Sequence, residues 1–179
     1  MNGFDILLAL VIVVFCGLGI YQRLIRQAMS LGVFYLATIG AGLTYRLLAT
    51  LTQVIGGLTP PGHFVAFWVM FAVFAIALEV MLRKGFEDVQ LPKLGFLDNL
   101  LGLLPGALCG LIIASLLLTS IGYMSSQSWG GLEGLRILLA RGYHNAALRP
   151  LLGQFLEAYL KTHVLWFPRI PPILAYALP

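Results

Sequence analysis

Charge is the scarcest commodity in this chain. Charged residues make up 10% of its 179 residues, against about 25% in an ordinary soluble protein. No Asp, Glu, Lys or Arg occurs over Ile6–Gln22, Gln27–Tyr45, Leu47–Leu78 or Asn99–Leu132. A water-soluble fold of this size cannot be covered by eleven basic and seven acidic side chains, so a soluble enzyme and a charged disordered chain are both excluded. Cysteine is equally sparse. Cys16 and Cys109 both fall inside apolar runs, which excludes a disulfide scaffold and reads as packing, since free Cys behaves as a small buried hydrophobe. The histidines His63, His144 and His163 are scattered. No phosphate-binding glycine loop or metalloprotease spacing occurs, and Ser125-Ser126 lacks a partner base,. Neither a metal nor a cofactor is expected, and nothing points to an enzyme. No basic stripe with interleaved aromatics is present, so nucleic acid is not an expected partner.

Apolar residues fill the space, at 60% of the chain against about 45–50% in globular proteins. A membrane-crossing helix needs about 20 mostly apolar residues, and each charge-free run holds one. The expected spans are Phe4–Gln22, Ala28–Thr50, His63–Leu82 and Asp98–Ser120. The first has no basic residue before it and no small-residue cleavage pattern after it, so it reads as a retained helix, not a signal peptide,. Arg23 and Arg26 follow the first span, and Arg83, Lys84 and Lys93 follow the third. The connection over 51–62 carries no charge and the N-terminal stub only Asp5. Basic loops stay in the cytoplasm, so both termini are expected outside.

After Met124 the chain becomes more polar. Leu132, Leu135, Leu138 and Leu139 oppose Glu133, Arg136 and Arg141 on a helical wheel. Leu151, Leu152, Phe155, Leu156 and Tyr159 likewise oppose Gln154, Glu157 and Lys161. These patterns are too short and too charged to cross a bilayer and read as amphipathic interfacial helices. Tyr123, Trp129 and Trp166 suit the headgroup region, and a Pro-rich tail closes the chain. The expected fold is all-α: a four-helix transmembrane bundle over 1–124, then interfacial helices and tail over 125–179.

Gly102, Gly106 and Gly110 recur every four residues and Ala114 extends the row. Such a stripe lets a neighbouring backbone approach closely, and close packing is what drives helix association in lipid. Gly32 and Gly40 give the second span a weaker version, with Ala28 on the same face. The row serves either internal bundle packing or a homo-oligomer seam. Charges near membrane depth are costly and need partners. Asp5 and Arg46 lie at the same end of their spans, and either they pair or Arg46 extends to the interface. Glu79 and Arg83 have the spacing of a helical ion pair. Asp98 either caps its own helix or pairs with Arg23 or Arg26.

Three segments of the chain resemble the colicin V production family of bacterial inner-membrane proteins: Gly3-Phe-Asp5, Arg26-Gln-Ala-Met-Ser-Leu31, and Asp98-Asn-Leu-Leu-Gly102 with Gly106 and Gly110. The closing Leu178-Pro179 is also similar. Departures fall on polar positions: Gln22-Arg23 replaces an Arg-Gly pair, Gln27 a Glu, Asn99 an Arg and Cys109 an Arg. The resemblance implies a non-enzymatic membrane protein that supports toxin production or export, or envelope maintenance. Besides the lipid bilayer, the expected partners are further copies of this chain or other membrane-protein subunits. The alternative is a small accessory subunit of a larger respiratory, photosynthetic or transport complex.

Overall fold

A computed structural model of the chain describes residues 2–56, 59–85, 95–129, 132–163, 165–166 and 170–176. Lys93, Leu178 and Pro179 lie outside them. The described elements are α1 (Gly3–Gln22), α2 (Leu24–Gly56), α3 (Thr59–Gly85), α4 (Gly95–Ser125), α5 (Glu133–His144), α6 (Arg149–Lys161) and α7 (Pro172–Ala175). Four helices are long and apolar enough to cross a membrane, within Gly3–Gln22, Leu24–Leu51, Pro61–Gly85 and Asp98–Ser125. The protein is all-helical with a four-span bundle.

Aliphatic residues face outward along α1, as a lipid-facing helix requires. Ile6 and Leu10 are each 60% exposed, and Val13 is 64% exposed. The seam between α1 and α4 is built from backbone. A Cβ at Gly106 would lie 2.6 Å from the Phe15 carbonyl oxygen and 2.9 Å from the Gly19 Cα. At Gly110 it would lie 2.9 Å from the Ile12 Cα. A Cβ on Gly102 would collide with the Gly19 carbonyl oxygen, and one on Gly19 with that of Gly102. The glycine row is therefore filled from within the same chain, by α1, and not left open as a seam between copies. Gly32 and Gly40 of α2 do not form one groove. Gly40 lies against the Phe74 ring of α3, while Gly32 has nothing within 4 Å.

The turn joining α1 to α2 is tight. Arg23 adopts φ 68°, ψ 169°, a region that favours glycine because any Cβ is crowded there. Asp98, at 3% exposure, stands across from this turn. Its Oδ1 accepts from the Leu24 N–H at 3.3 Å. It thus caps α2, where the orphan N–H groups and positive dipole end of a helix favour a carboxylate. It does not form the ion pair considered with Arg23 or Arg26.

The two amphipathic segments use their apolar faces differently. Helix α5 leaves Leu135 and Leu138 half or more exposed, as an interfacial helix does. Helix α6 inserts Leu152, Leu156 and Leu160 fully into the bundle. Leu156, Leu160, Ile173 and Leu174 share one core with Ala37, Ala41, Phe67, Phe71, Ile112 and Leu116 of α2, α3 and α4. Its start is tied to the head of α1, where the Leu148 N–H donates to Asp5 Oδ1 at 3.1 Å. Its 13 residues cover about 20 Å, so its end reaches the middle of α2. There Tyr35 Oη donates to the Thr162 carbonyl at 2.8 Å, and Tyr159 Oη lies 2.9 Å from Thr38 Oγ1. Thr38 stands halfway along the Leu24–Leu51 span. His163 is fully buried and packs 4.2 Å from the Tyr35 ring and 4.5 Å from that of Tyr159. The chain then returns, with Ile173 and Leu174 buried and Tyr176 5.9 Å from Tyr143. So α6 and α7 form a re-entrant hairpin on the wall of the bundle, with Leu152, Leu156, Leu160 and His163 turned inward and Lys161 and Leu165 exposed.

Candidate functional site

Polar side chains gather at one end of the bundle, where α1 ends, α2 begins and α3 ends. Glu79 of α3 is the hub. Its Oε1 accepts from Arg83 Nε at 3.3 Å, one helical turn away, and its Oε2 accepts from Ser30 Oγ of α2 at 3.2 Å. Gln22 and Gln27 complete the polar rim of a cleft of 430 Å³, whose deeper wall is Phe15, Leu18, Phe34, Ala75, Ile76 and Val80. Ligand pockets are commonly about 300–1,000 Å³. The gradient follows from the sequence. The polar residues lie within the last turns of α1 and α3 and the first turns of α2, while Phe15, Phe34 and Ala75 lie further in along the same helices.

Gln27 is 2% exposed. Among the described residues its Oε1 has no hydrogen-bond partner, nor has Oε1 of Gln22. A buried polar atom left without a partner costs about 1–3 kcal/mol, and native folds rarely leave one without reason. Polar groups at membrane depth mark functional sites by default. The rim is rich in acceptors: two amide oxygens beside a carboxylate. Arg83, with its side chain 55% exposed, supplies the cation at the lip.

The sequence reading missed Gln22, Gln27 and Ser30 as a group because it tracked ionised residues. Neutral polar residues close to a helix end were the signal that could have found them. It named Glu79 and Arg83, which the structure brings together in this cleft. The pair considered between Asp5 and Arg46 does not form. Asp5 is fully buried and accepts from the Asn2 N–H at 2.8 Å as well as from Leu148. Backbone donors at the α5–α6 turn thus take the place of a cation. Arg46 is exposed and, among the described residues, reaches Tyr45 Oη at 3.4 Å. Arg26 is exposed near the start of α2.

The family model for the colicin V production protein matches residues 4–157. This chain belongs to the colicin V production family. The matched stretch holds all four spans and every residue of the polar cleft. The Tyr159–His163 end of the re-entrant hairpin and α7 lie beyond it. Neither the curated proteins nor the solved structures contain a match to the chain. As a colicin V production family member, the protein is a multi-pass membrane protein. Its glycine row is buried against its own first helix, and its polar groups face a cleft between α1, α2 and α3.

Proposed function

We propose that this colicin V production family protein supports toxin production or export, or envelope maintenance, by engaging an amphiphile of the bilayer in the Gln22–Gln27–Ser30–Glu79–Arg83 cleft. It acts without catalysis, as one folded unit of the bacterial inner membrane. The Arg83 end faces the cytoplasm and both termini face outward, following the basic loops. The observation that carries this reading is the buried Gln27 Oε1, without a partner among the described residues, on the wall of a cleft that is polar at its rim and apolar below. The glycine row does not support a role through self-association, since α1 fills it.

One observation favours a second reading, in which the chain is an accessory subunit of a larger complex. A groove of 530 Å³ between α2 and α3 is lined by Met29, Gly32, Val33, Leu36, Leu78, Met81 and Leu82, with nothing near Gly32. A small residue in an apolar groove suits the close approach of another helix.

Cells lacking the protein, complemented with the wild type, Gln27→Leu or Gly134→Ala, test the first reading. The readouts are secretion of a peptide toxin and growth in detergent. Gln27→Leu is expected to fail in at least one of them at wild-type membrane abundance, and Gly134→Ala to succeed in both. Full complementation by Gln27→Leu overturns the reading.

A further inference from the structure

We infer that the ligand of this cleft is a phospholipid whose headgroup carries both a phosphate and a protonated amine, the aminophospholipid class. This deepens the proposed function and rests on it. The argument is one of chemical complement. Inside the rim the groups that lack partners among the described residues are acceptors, Oε1 of Gln22 and Oε1 of Gln27, and beside them Glu79 is a carboxylate paired with Arg83 at the lip and accepting from Ser30. A ligand that satisfies two amide oxygens next to a carboxylate must bring N–H or O–H donors, and a positive charge is favoured. At the lip, Arg83 commits its Nε to Glu79. Its Nη groups make no bond to any described residue and present the planar donor fork that suits a phosphate.

Anion and donor must therefore sit side by side on one ligand, phosphate outermost on Arg83 and ammonium folded inward towards Gln27. Below them, Phe15, Leu18, Phe34, Ala75, Ile76 and Val80 offer an apolar wall, where Ile76 is 65% and Val80 44% exposed. That wall faces the bilayer and accepts an acyl chain without removing it from lipid. A quaternary choline headgroup carries the same phosphate and the same charge but has no N–H, so it leaves both amide oxygens unsatisfied.

The test reconstitutes the full chain into vesicles of equimolar ethanolamine, choline and glycerol phospholipids with matched acyl chains. The lipid retained after gentle transfer to mild detergent is then measured by native mass spectrometry. The ethanolamine lipid is expected to be retained at least tenfold over the choline lipid. Gln27→Leu and Glu79→Gln are each expected to erase most of that preference while melting close to the parent. Glu79→Gln keeps the test decisive if Gln27→Leu folds poorly. Equal retention of choline and ethanolamine lipids overturns the assignment, and so does preferred retention of the glycerol lipid, which would place hydroxyl donors in the rim. Displacement of the lipid by soluble phosphoethanolamine also overturns it, because the ligand would then come from water and not from the bilayer. If Gln27→Leu fails to complement but no ethanolamine preference is found, the ligand class falls and the functional cleft stands. If the preference is found but Gln27→Leu complements fully, the ligand stands and the functional reading falls.

Discussion

Replacing Gly106 with alanine adds one methyl group to the seam between α1 and α4, and the atoms it meets cannot rotate away. The new Cβ would lie 2.6 Å from the Phe15 carbonyl oxygen, 2.9 Å from the Gly19 Cα and 3.2 Å from the Gly19 amide nitrogen. All three are backbone atoms of α1. Relief requires the helices to part by several tenths of an ångström, which also loosens the contacts at Gly102 and Gly110. Overpacking of this kind costs about 1–3 kcal/mol. For a chain of this size that corresponds to a fall in Tm of about 2–12 °C. Gly106→Leu should fall at or beyond the upper end. Gly32→Ala and Gly134→Ala are the controls. Neither added Cβ has a neighbour within 4 Å, and alanine is the better helix former by about 1 kcal/mol, so neither should melt early. The assay is thermal unfolding in mild detergent with native mass recorded in parallel. The reasoning is refuted if Gly106→Ala melts as late as the parent. It is also refuted if the variant merely converts an oligomer to a monomer, which would put the glycine row between copies.

Arg23→Gly should stabilise the protein by about 1–3 kcal/mol, the scale of holding a side chain in that backbone region; thermal or denaturant unfolding reads it. Burial holds the His163 imidazole below its ordinary value of 6.5, so between that value and the lower native one the unfolded chain binds a proton that the native chain does not. Stability is therefore full above about pH 6.5 and falls as pH drops below it; His163→Phe should flatten that slope, seen as Tm against pH from 7 down to 5. With Cys16 and Cys109 replaced by serine, a Lys84→Cys variant should resist an impermeant thiol reagent in intact cells and react in inverted vesicles. Labelling from outside would reverse the orientation.

What could be read in the sequence was set by how local each signal is. The four spans were legible because hydropathy needs no partner to be seen. The row of Gly102, Gly106 and Gly110 was equally plain, but its partner was not. Only Gly19 of α1 is a small residue in that seam, and the Phe15 and Ile12 backbones complete it, leaving no repeat to recognise. The leucines of α6 announced an amphipathic helix. Nothing local showed that Leu156 and Leu160 enter the same core as Phe67 and Leu116, because that depends on Asp5 fixing where α6 starts. In the sequence Asp5 is a costly charge near membrane depth, for which Arg46 is the cation at the same end,. Backbone N–H groups of Asn2 and Leu148 satisfy it instead, and such donors are the same in every sequence. The cleft was half visible for a related reason: Glu79 and Arg83 carry charge, whereas Gln22, Gln27 and Ser30 gain meaning only once three helix ends meet.

The most direct test of the bilayer-facing cleft is a photocrosslinker placed at Val80 and activated in native membranes before any detergent is added. Val80 lines the cleft and is 44% exposed, so the probe samples whatever occupies or covers that wall. The expected product is this chain at its own mass of 19.5 kDa bearing one phospholipid with an ethanolamine headgroup, and its yield should fall in Gln27→Leu. A crosslink to a second polypeptide, whether another copy of this chain or a different subunit, with no lipid adduct, would contradict it.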